Sequence, residues 1–422
     1  MKKDNEIFAD LQIHSKYARA TSKNISIENL EKYARIKGLD LLGIGDFQHP
    51  LRRKEIDEKL KEDAFGILRT KTGFPFIWQT EVSLMFSQGG KRRAVHLLIF
   101  APNTKIADKI TSYLGSKGRL DYDGRPIFGI TCRDLVKDLK DIDDKIEIIP
   151  AHAWTPWFGL FGSQSGFNSV EECFLDQSKH IYAIETGLSS DPAMNWRLSK
   201  LDKYTILSNS DAHSFWPHRL GREATVFELE ELSYDNIIKA IRTRKGLKET
   251  IEVSPLFGKY HLTGHRNCNF SCSPEEAKKL NWICPVCKKK LTIGVEERIE
   301  ELADRPIGYK PKNAIPFKAL IPLQELLAVL LKTSATSKRV WTEYNKLIER
   351  FGNEFNILLR ASSEELNEVV SIKTTDAILT NRDGKVKIKG GFDGQYGIPI
   401  LETLDEKDLK VKKGQKGLGD FM

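Results

Sequence analysis

The fold is decided by Thr205-Ile-Leu-Ser-Asn-Ser-Asp-Ala-His213, a short apolar run followed by an aspartate and a histidine. Similar short apolar runs occur at residues 7–11, 40–44, 76–84, 94–100, 145–149 and 180–184. Amphipathic stretches such as residues 26–37 separate several of them. Strand and helix patterns that alternate at this spacing predict parallel βα units, arranged as a barrel or as a doubly wound sheet.

Polar residues lie at or near the ends of these predicted strands, namely Gln12, His14, Asp46, His49, Glu81, His96, His152, Glu185, Asp211 and His213. The carboxyl ends of barrel strands meet on one face, so we expect these side chains to line one pocket. Crowded carboxylates repel one another unless divalent cations neutralise them. The mixed ligand types suit zinc, manganese, magnesium or iron, and a shared carboxylate is typical of multinuclear hydrolases. Any one histidine could be an ordinary core residue, but the set predicts a metal site.

Four of the six cysteines form two pairs, Cys268-x3-Cys272 and Cys284-x2-Cys287. This spacing predicts a structural zinc ion held by four thiolates. His261 and His265 are both close enough in sequence to replace a cysteine, but four thiolates already complete a tetrahedral shell, so neither is included. We expect the two isolated cysteines, Cys132 and Cys173, to be buried small hydrophobic residues.

Changes in composition divide the chain into four parts. We expect a metal-dependent barrel at residues 1–250, a zinc module at 251–300, a mainly helical region at 301–400 and a flexible tail at 401–422. The best helix patterns of the third part are residues 319–332 and 340–350. The position and basic content of this part suggest that it helps to clamp a DNA duplex.

The whole chain has 422 residues, with 66 lysines and arginines against 58 aspartates and glutamates. The resulting formal charge of +8 favours polyanionic partners only weakly. No apolar run approaches the ~18 residues that a membrane span needs. Residues 1–6 lack the apolar core of a signal peptide, so we expect a cytoplasmic protein with no membrane partner.

Aromatic and basic residues follow two of the predicted ligands. Trp154, Trp157 and Phe158 come after His152. Trp216 and Arg219 come after His213. These side chains could contact DNA and stack on an unpaired base, at about 1–3 kcal/mol for each stack. The alternative is that the rings close the end of the barrel core.

These motifs resemble those of the polymerase and histidinol phosphatase (PHP) family, whose barrel binds three metal ions. Asp10-Leu-Gln-Ile-His-Ser-Lys-Tyr-Ala18 resembles the first motif, with Gln12 in place of a histidine. Leu42-Gly-Ile-Gly-Asp-Phe-Gln-His49 resembles the second motif, with Phe47 in place of a histidine. The resemblance implies that Glu81 bridges two metals, one of them also held by His96 and His152 and the other by His14 and Asp211. It also implies a third site, which Asp46 or His49 would complete together with His213.

Over its whole length the chain also resembles the endonuclease Q family of DNA repair enzymes, including the segment Glu185-Thr-Gly-Leu-Ser-Ser-Asp-Pro-Ala-Met-Asn195. The resemblance implies a PHP-type (β/α) barrel that cuts double- or single-stranded DNA with a metal-activated water. Cleavage is expected 5′ of deaminated bases (uracil, hypoxanthine or xanthine) and of abasic sites. Catalytic roles fall to Glu81, Asp211 and Asp191, although Asp191 could equally be a turn former before Pro192.

The last residues contain Gln415-x-x-Leu418-x-x-Phe421-Met422, which resembles the box that binds the sliding clamp PCNA. A short helical turn would present its apolar side chains to a groove on the clamp. Two alternatives to the repair endonuclease are considered. One is a PHP-family phosphatase or 3′-5′ exonuclease, and the other is a DNA-binding scaffold whose barrel has lost activity.

Overall fold

The computed structural model describes residues 5–401. Its strands are β1 (Glu6–Asp10), β2 (Leu41–Gly43), β3 (Lys61–Glu62), β4 (Leu68–Arg69), β5 (Pro75–Ile77), β6 (Gln79–Gln88), β7 (Lys91–Phe100), β8 (Ile127–Phe128), β9 (Glu147–Pro150), β10 (Ala183–Glu185), β11 (Thr205–Leu207), β12 (Ala224–Glu228), β13 (Leu247–Glu252), β14 (Thr263–His265), β15 (Phe270–Cys272), β16 (Phe317–Ala319), β17 (Lys387–Lys389) and β18 (Ile398–Ile400).

Its α-helices are α1 (Ile27–Lys37), α2 (Pro50–Lys59), α3 (Thr104–Lys117), α4 (Cys132–Ile142), α5 (Val170–Phe174), α6 (Pro192–Asn195), α7 (Tyr234–Thr243), α8 (Pro274–Lys279), α9 (Val295–Leu302), α10 (Leu323–Leu330), α11 (Lys338–Phe351), α12 (Glu354–Leu359), α13 (Ser363–Asn367) and α14 (Ile372–Arg382). Short 3-10 helices lie at Leu175–His180, Ser199–Leu201, Pro255–Phe257 and Arg266–Cys268. The predicted α/β fold with a mainly helical C-terminal region is therefore confirmed.

The strands of the first half form several separate ladders. An eight-stranded sheet has the order β16-β13-β12-β1-β2-β5-β4-β3, and a four-stranded sheet has the order β8-β6-β7-β9. Strands β10 and β11 pair in parallel, and an isolated parallel bridge joins Ile13 to Ala212. Between residues 5 and 401 no ladder closes on itself. The expectation of a closed barrel is therefore not confirmed.

The expectation of purely parallel βα units is wrong. Strands β1, β2 and β5 are parallel to one another, but β12 runs antiparallel to β1. Strands β6 and β7 form an antiparallel hairpin, and β9 is antiparallel to β7. The hairpin turns through Gly89 and Gly90, whose φ angles of 60° and 72° suit a tight two-residue turn. The single strand predicted at residues 76–84 is in fact two strands, β5 and β6, which are separated by Trp78.

The helical C-terminal region packs directly on the first half of the chain. Buried residues of both regions belong to one hydrophobic core, in which the rings of Phe8 and Phe355 lie 4.9 Å apart. At this interface Lys37 Nζ lies 2.6 Å from Glu354 Oε1, and both side chains are buried. The Tyr344 hydroxyl donates to Glu354 Oε2 at 2.8 Å. Since the loss of one partner would leave a buried charge unpaired, this contact fixes how the two regions dock.

No helix between residues 5 and 401 combines the length and the apolar character needed to cross a membrane. The predicted clamp-binding box, Gln415 to Met422, lies outside the described residues, and so does the predicted tail from residue 402 onward.

Candidate active site

The two ends of the first half meet at the bridge between Ile13 and Ala212. His14 N–H donates to the Ala212 carbonyl at 3.0 Å, which puts the first motif beside Asp211 and His213. Asp46, His152 and Asp211 have φ angles of 56°, 30° and 47°. Non-glycine residues rarely adopt positive φ, and such strained positions concentrate at functional sites. The backbone is thus strained at three of the positions where predicted site residues converge.

Glu81 lies between two groups of potential metal ligands. In the first group, Glu81, His96 and His152 offer ligand atoms within 4.8 Å of one another. Glu81 Oε1 is 2.7 Å from His96 Nδ1 and 3.2 Å from His152 Nε2. Burial lowers the pKa of His96 to about 3, because the effect of Glu81 only partly offsets it. His96 is therefore neutral, which is the form that binds metals.

The second group contains His14, Asp211 and His213. His14 Nε2 lies 3.2 Å from Asp211 Oδ1 and 2.8 Å from Glu81 Oε2, so the second oxygen of Glu81 faces this group. The His14 and His213 rings have centroids 4.7 Å apart. With one carboxylate oxygen on each side, Glu81 has the geometry of a bridging ligand, as the PHP resemblance implies.

The donor atoms of this site fit divalent cations. Gln12 Oε1 and His14 Nε2 are buried and have no hydrogen-bond partner among the described residues. Glu81 Oε2 is close to His14 Nε2, at 2.8 Å, but the angles do not suit a hydrogen bond. Buried polar atoms without partners are rare in folded proteins unless a water or an ion satisfies them. Imidazoles and carboxylates in this number suit zinc or manganese. Gln12 Nε2 donates to Glu81 Oε2 at 3.3 Å and to Asp211 Oδ1 at 3.4 Å, and its unpartnered Oε1 keeps Gln12 a candidate ligand.

Asp46 supports His14 instead of joining either ligand group. Its Oδ1 lies 3.0 Å from His14 Nδ1, on the opposite side of the ring from Glu81. Its Oδ2 accepts hydrogen bonds from the Ser15 backbone and hydroxyl, both at 2.6 Å. Burial would raise the pKa of Asp46, but His14 and Ser15 outweigh it and lower the pKa. A carboxylate behind a metal-binding histidine fixes the ring orientation and tautomer. The expectation that Asp46 is itself a ligand stays a prediction.

The residues expected to complete a third metal site are engaged elsewhere. His49 Nδ1 accepts a hydrogen bond from Leu51 N–H at 3.3 Å and so caps helix α2. Its ring stacks on Tyr17 at 4.7 Å. Phe47 is buried in the core against Trp78. Among residues 5–401 His49 belongs to no group of ligand atoms within 4.8 Å of one another, so a third site completed by His49 or Asp46 stays a prediction.

Two acids outside the ligand groups lie at or after the end of strand β10. Glu185 is buried and accepts from His152 N–H at 2.6 Å and from Asn209 at 2.8 Å. It therefore holds the strained backbone of His152 in place. Asp191 accepts from Met194 N–H at 2.8 Å and caps the short helix α6, which is the turn-forming role considered above. A catalytic role for Asp191 remains a prediction.

The aromatic residues after His152 differ in their environment. Trp154 is fully buried and its indole N–H donates to Asn195 at 2.8 Å. The prediction that Trp154 contacts DNA is therefore wrong, since the ring has no accessible face. Phe158 packs on the His96 ring at 4.5 Å. Trp157 is 46% exposed and forms an edge-on pair with Tyr260 at 5.2 Å. Sequence analysis missed Tyr260, which lies before Cys268, the first cysteine of the zinc module, and belongs to no recognisable motif.

Two other predicted DNA contacts lie at the interface with the helical region. Trp216 packs against Tyr33 at 5.4 Å and against Trp341 of helix α11 at 5.6 Å. Burial lowers the pKa of Arg219, and so does the nearby positive charge of Arg222. The negative charge of Glu325 partly offsets them. The Trp216 and Arg219 side chains are both half-buried. Trp216 thus contacts rings of helices α1 and α11, and DNA contact by Trp216 or Arg219 stays a prediction.

Arg125 lies at the candidate site, and sequence analysis missed it. Its Nη1 lies 3.5 Å from Glu81 Oε2. Burial opposes the effect, but Arg125 and His96 hold the pKa of Glu81 well below its ordinary value. The prediction looked for polar residues at the ends of apolar runs. No long apolar run precedes the segment Asp121-Tyr-Asp-Gly-Arg125, so Arg125 was not identified.

The cysteine module has a group of four metal-binding side chains, but one member differs from the prediction. His265, Cys268, Cys284 and Cys287 offer ligand atoms within 4.8 Å of one another. His265 Nδ1 lies 3.3 Å from Cys287 Sγ. Cys268 ends a 3-10 turn, and Lys288 N–H donates to the Cys284 carbonyl at 2.9 Å. Two turns thus enclose one site, as the spacing predicts, and a histidine completes it.

Cys272 is not part of this group. It is the last residue of strand β15, and its Sγ lies 3.9 Å from the Thr263 carbonyl across the hairpin. The alternation of side chains along the strand sets this direction, and residue spacing does not reveal it. Cys272 still packs in one cluster with Cys268, Cys284 and Cys287, so the geometry adds His265 as a candidate ligand and the role of Cys272 as a ligand stays a prediction. Cys132 and Cys173 are fully buried, as expected.

Comparison with known proteins first identifies relatives by sequence. Residues 322–385 match the family model of the MJ0043 C-terminal domain. The uncharacterized protein MJ0043 of Methanocaldococcus jannaschii is 36% identical over 251 residues, which are 58% of this chain and 31% of that protein. The match thus spans less than a third of that relative. The uncharacterized protein YqxK of Bacillus subtilis is 30% identical over 412 residues, covering 93% of this chain and 98% of that protein.

Two solved structures share the fold over nearly the whole chain. The lesion-specific endonuclease PfuEndoQ from Pyrococcus furiosus has a TM-score of 0.85 and 33% identity, covering 97% of this chain and 98% of that chain. A complex of endonuclease Q with a 27-mer duplex substrate, which carries an abasic lesion at the active site, has a TM-score of 0.84 and 32% identity. That comparison covers 97% of this chain and 99% of that chain.

The ligand set of the cysteine module can be tested by two single substitutions. His265→Ala should lower the zinc content by about one ion per chain, because it removes one of four ligands. Cys272→Ala should leave the zinc content unchanged. Metal analysis of both purified variants beside the wild type measures the difference. Loss of zinc from Cys272→Ala with retention in His265→Ala would restore the four-cysteine assignment.

Proposed function

The chain belongs to the endonuclease Q family, and we propose that it is a metal-dependent DNA repair endonuclease. The proposed substrates are DNA strands that contain an abasic site or a deaminated base, namely uracil, hypoxanthine or xanthine. The proposed cut is in the phosphodiester on the 5′ side of the lesion. Duplex DNA is the expected partner, because an endonuclease Q structure holds a duplex with an abasic lesion at its active site.

The observation that carries the proposal is the position of Glu81 between the two ligand groups. Its two oxygens face different sets of imidazoles at 2.7 to 3.2 Å. Divalent cations bound there would lower the pKa of a water molecule and neutralise charge on a phosphoryl oxygen. Asp46 orients His14, and Thr155 Oγ lies 2.9 Å from His152 Nδ1, so both rings turn their other nitrogen toward Glu81.

Contact with DNA is proposed for the exposed aromatic pair. Trp157 and Tyr260 lie next to the metal-binding loop, and Trp157 is the more exposed ring. A base or sugar that has left the helix could stack on such a surface. We also propose that the helical region helps to clamp the duplex, because the buried Lys37–Glu354 contact joins it rigidly to the catalytic half. Lesion recognition would thus use several parts of the chain.

Asp191 is proposed as a further acid of the catalytic reaction. Asp191 lies in the loop that follows Glu185. This loop passes close to His152, because a Cβ atom added at Gly187 would lie only 2.5 Å from His152 Cβ. Its Oδ1 is used in the helix cap. Asparagine caps helices about as well as aspartate, so Asp191→Asn removes the charge and keeps the cap.

The proposed function is tested with end-labelled duplexes that carry one abasic site, uracil, hypoxanthine or xanthine, beside an undamaged duplex. Wild-type protein supplied with manganese, magnesium or zinc should give one product, cut 5′ of each lesion. Glu81→Gln should reduce the rate at least about 100-fold, because it removes charge and bridging capacity at both ligand groups. Asp191→Asn should also lose activity while its melting temperature stays unchanged.

The same assay separates the alternatives. Chelation should stop cleavage, and returning the metal should restore it. Nucleotides released from the strand end, or phosphate released from a small ester without any internal cut, would favour the exonuclease or phosphatase alternative. Full activity of Asp191→Asn would leave that residue with its capping role alone.

The aromatic pair gives a separate prediction. Trp157→Ala should weaken binding to a lesion-containing duplex about 5- to 150-fold, the effect of losing a stack worth ~1–3 kcal/mol. Phe65→Ala is a matched control, since Phe65 is also 46% exposed and lies between strands β3 and β4. Fluorescence anisotropy with holoprotein and labelled DNA measures both. Equal affinities for the two variants would contradict a stacking role.

Clamp binding is proposed for the box at Gln415, Leu418, Phe421 and Met422. Removal of residues 415–422 should abolish binding to a purified sliding clamp, because the apolar anchors are lost, and should leave cleavage of free DNA unchanged. Lys416→Ala is a control within the box, at a position that the motif leaves open. Calorimetric titration measures the affinity, and unchanged binding after the deletion would rule out this box.

A further inference from the structure

Arg125 approaches the candidate active site from its solvent-exposed side. Its side chain is 25% exposed, whereas Glu81, to which Nη1 is 3.5 Å away, is fully buried. The charge of Arg125 also acts on Asp211 and Asp46. The partly exposed guanidinium thus acts on two fully buried carboxylates, those of Glu81 and Asp46, and on Asp211, whose side chain is 24% exposed.

The backbone around Arg125 is fixed to both PHP-like motifs. Gly124 N–H donates to the Tyr17 carbonyl at 3.0 Å, and Gln48 Nε2 donates to the Gly124 carbonyl at 2.6 Å. A side-chain carbon at position 124 would lie 2.3 Å from Asp46 Oδ2, so only glycine allows this approach. The position of Arg125 is therefore built into the fold and is not that of a freely moving surface side chain.

Most of the hydrogen-bonding capacity of Arg125 is unused. In the described part of the chain its guanidinium makes the single ion pair with Glu81 and no hydrogen bond. A guanidinium has five N–H donors in a planar arrangement that matches two oxygens of a phosphate. It also stays charged at every pH that the protein tolerates. Its remaining donors are free to bind an anionic group, since the side chain is 25% exposed.

A negatively charged phosphodiester needs such a cation, because buried carboxylates repel it. We propose that Arg125 binds a non-bridging oxygen of the phosphate that is cut, as a fixed cation beside the metal-binding groups. The inference rests on the proposed function and adds a substrate-binding residue to it. The alternative is that Arg125 only pairs with Glu81 and organises the ligands.

The test compares Arg125→Gln, Arg125→Lys and, as a matched control, Arg119→Gln. Arg119 lies close to Arg125 in sequence, just before Asp121, but its side chain is 75% exposed and pairs with Asp121. Binding of inorganic phosphate to the metal-loaded protein is measured by calorimetry, together with metal content and cleavage of the abasic duplex. Arg125→Gln should bind phosphate and cut DNA about 10- to 100-fold less well, with unchanged metal content. Arg125→Lys should be intermediate, and Arg119→Gln should match the wild type.

Two results would overturn the inference. Unchanged phosphate affinity in Arg125→Gln would show that this residue does not bind phosphate. Loss of metal from that variant would show that Arg125 organises Glu81 instead. The phosphate measurement does not depend on the identity of the substrate. If the wild type cuts no lesion duplex but Arg125→Gln loses phosphate binding, the proposed function fails and the role of Arg125 as a phosphate-binding residue stands.

Discussion

The buried carboxylate of Glu81 is the constraint on which the site depends. A carboxylate in the interior is unfavourable unless positive charge or hydrogen bonds compensate for it. Here imidazoles approach both of its oxygens, and the guanidinium of Arg125 lies 3.5 Å away. These groups come from different strands and loops, so the charge balance at Glu81 requires the whole first half of the chain to be folded.

The backbone around Glu81 shows the consequence of that requirement. Asp46, His152 and Asp211 all have positive φ angles, which the surrounding hydrogen bonds maintain. Glu185 holds the backbone of His152, and Asp46 holds the ring of His14. Residues around the ligands thus stabilise an arrangement that the local sequence alone would not favour. Buried contacts at Lys37 then join this arrangement to the helical region.

Much of the site follows from the order of residue types along the chain. Polar residues at the ends of apolar runs predicted that His14, Glu81, His96, His152, Asp211 and His213 come together, and the structure confirms it. Helix α1 was predicted from its apolar spacing, and Ser26 caps it through the N–H of Asn29. The hairpin of β6 and β7 was not recognised, because both strands are buried for most of their length and a continuous apolar run does not reveal strand direction.

The sequence by itself determined which chemistry is available: imidazoles, carboxylates and thiolates at spacings that local backbone geometry can bring to a metal ion. Only the tertiary structure decided which of these atoms meet. His265 lies within the cysteine group, Asp46 lies behind the His14 ring, and Trp154 is buried in the core. The physical reason is that spacing controls contacts within a turn or a strand. The direction of each side chain and the approach of distant segments, such as the one that carries Arg125, depend on how the folded chain packs.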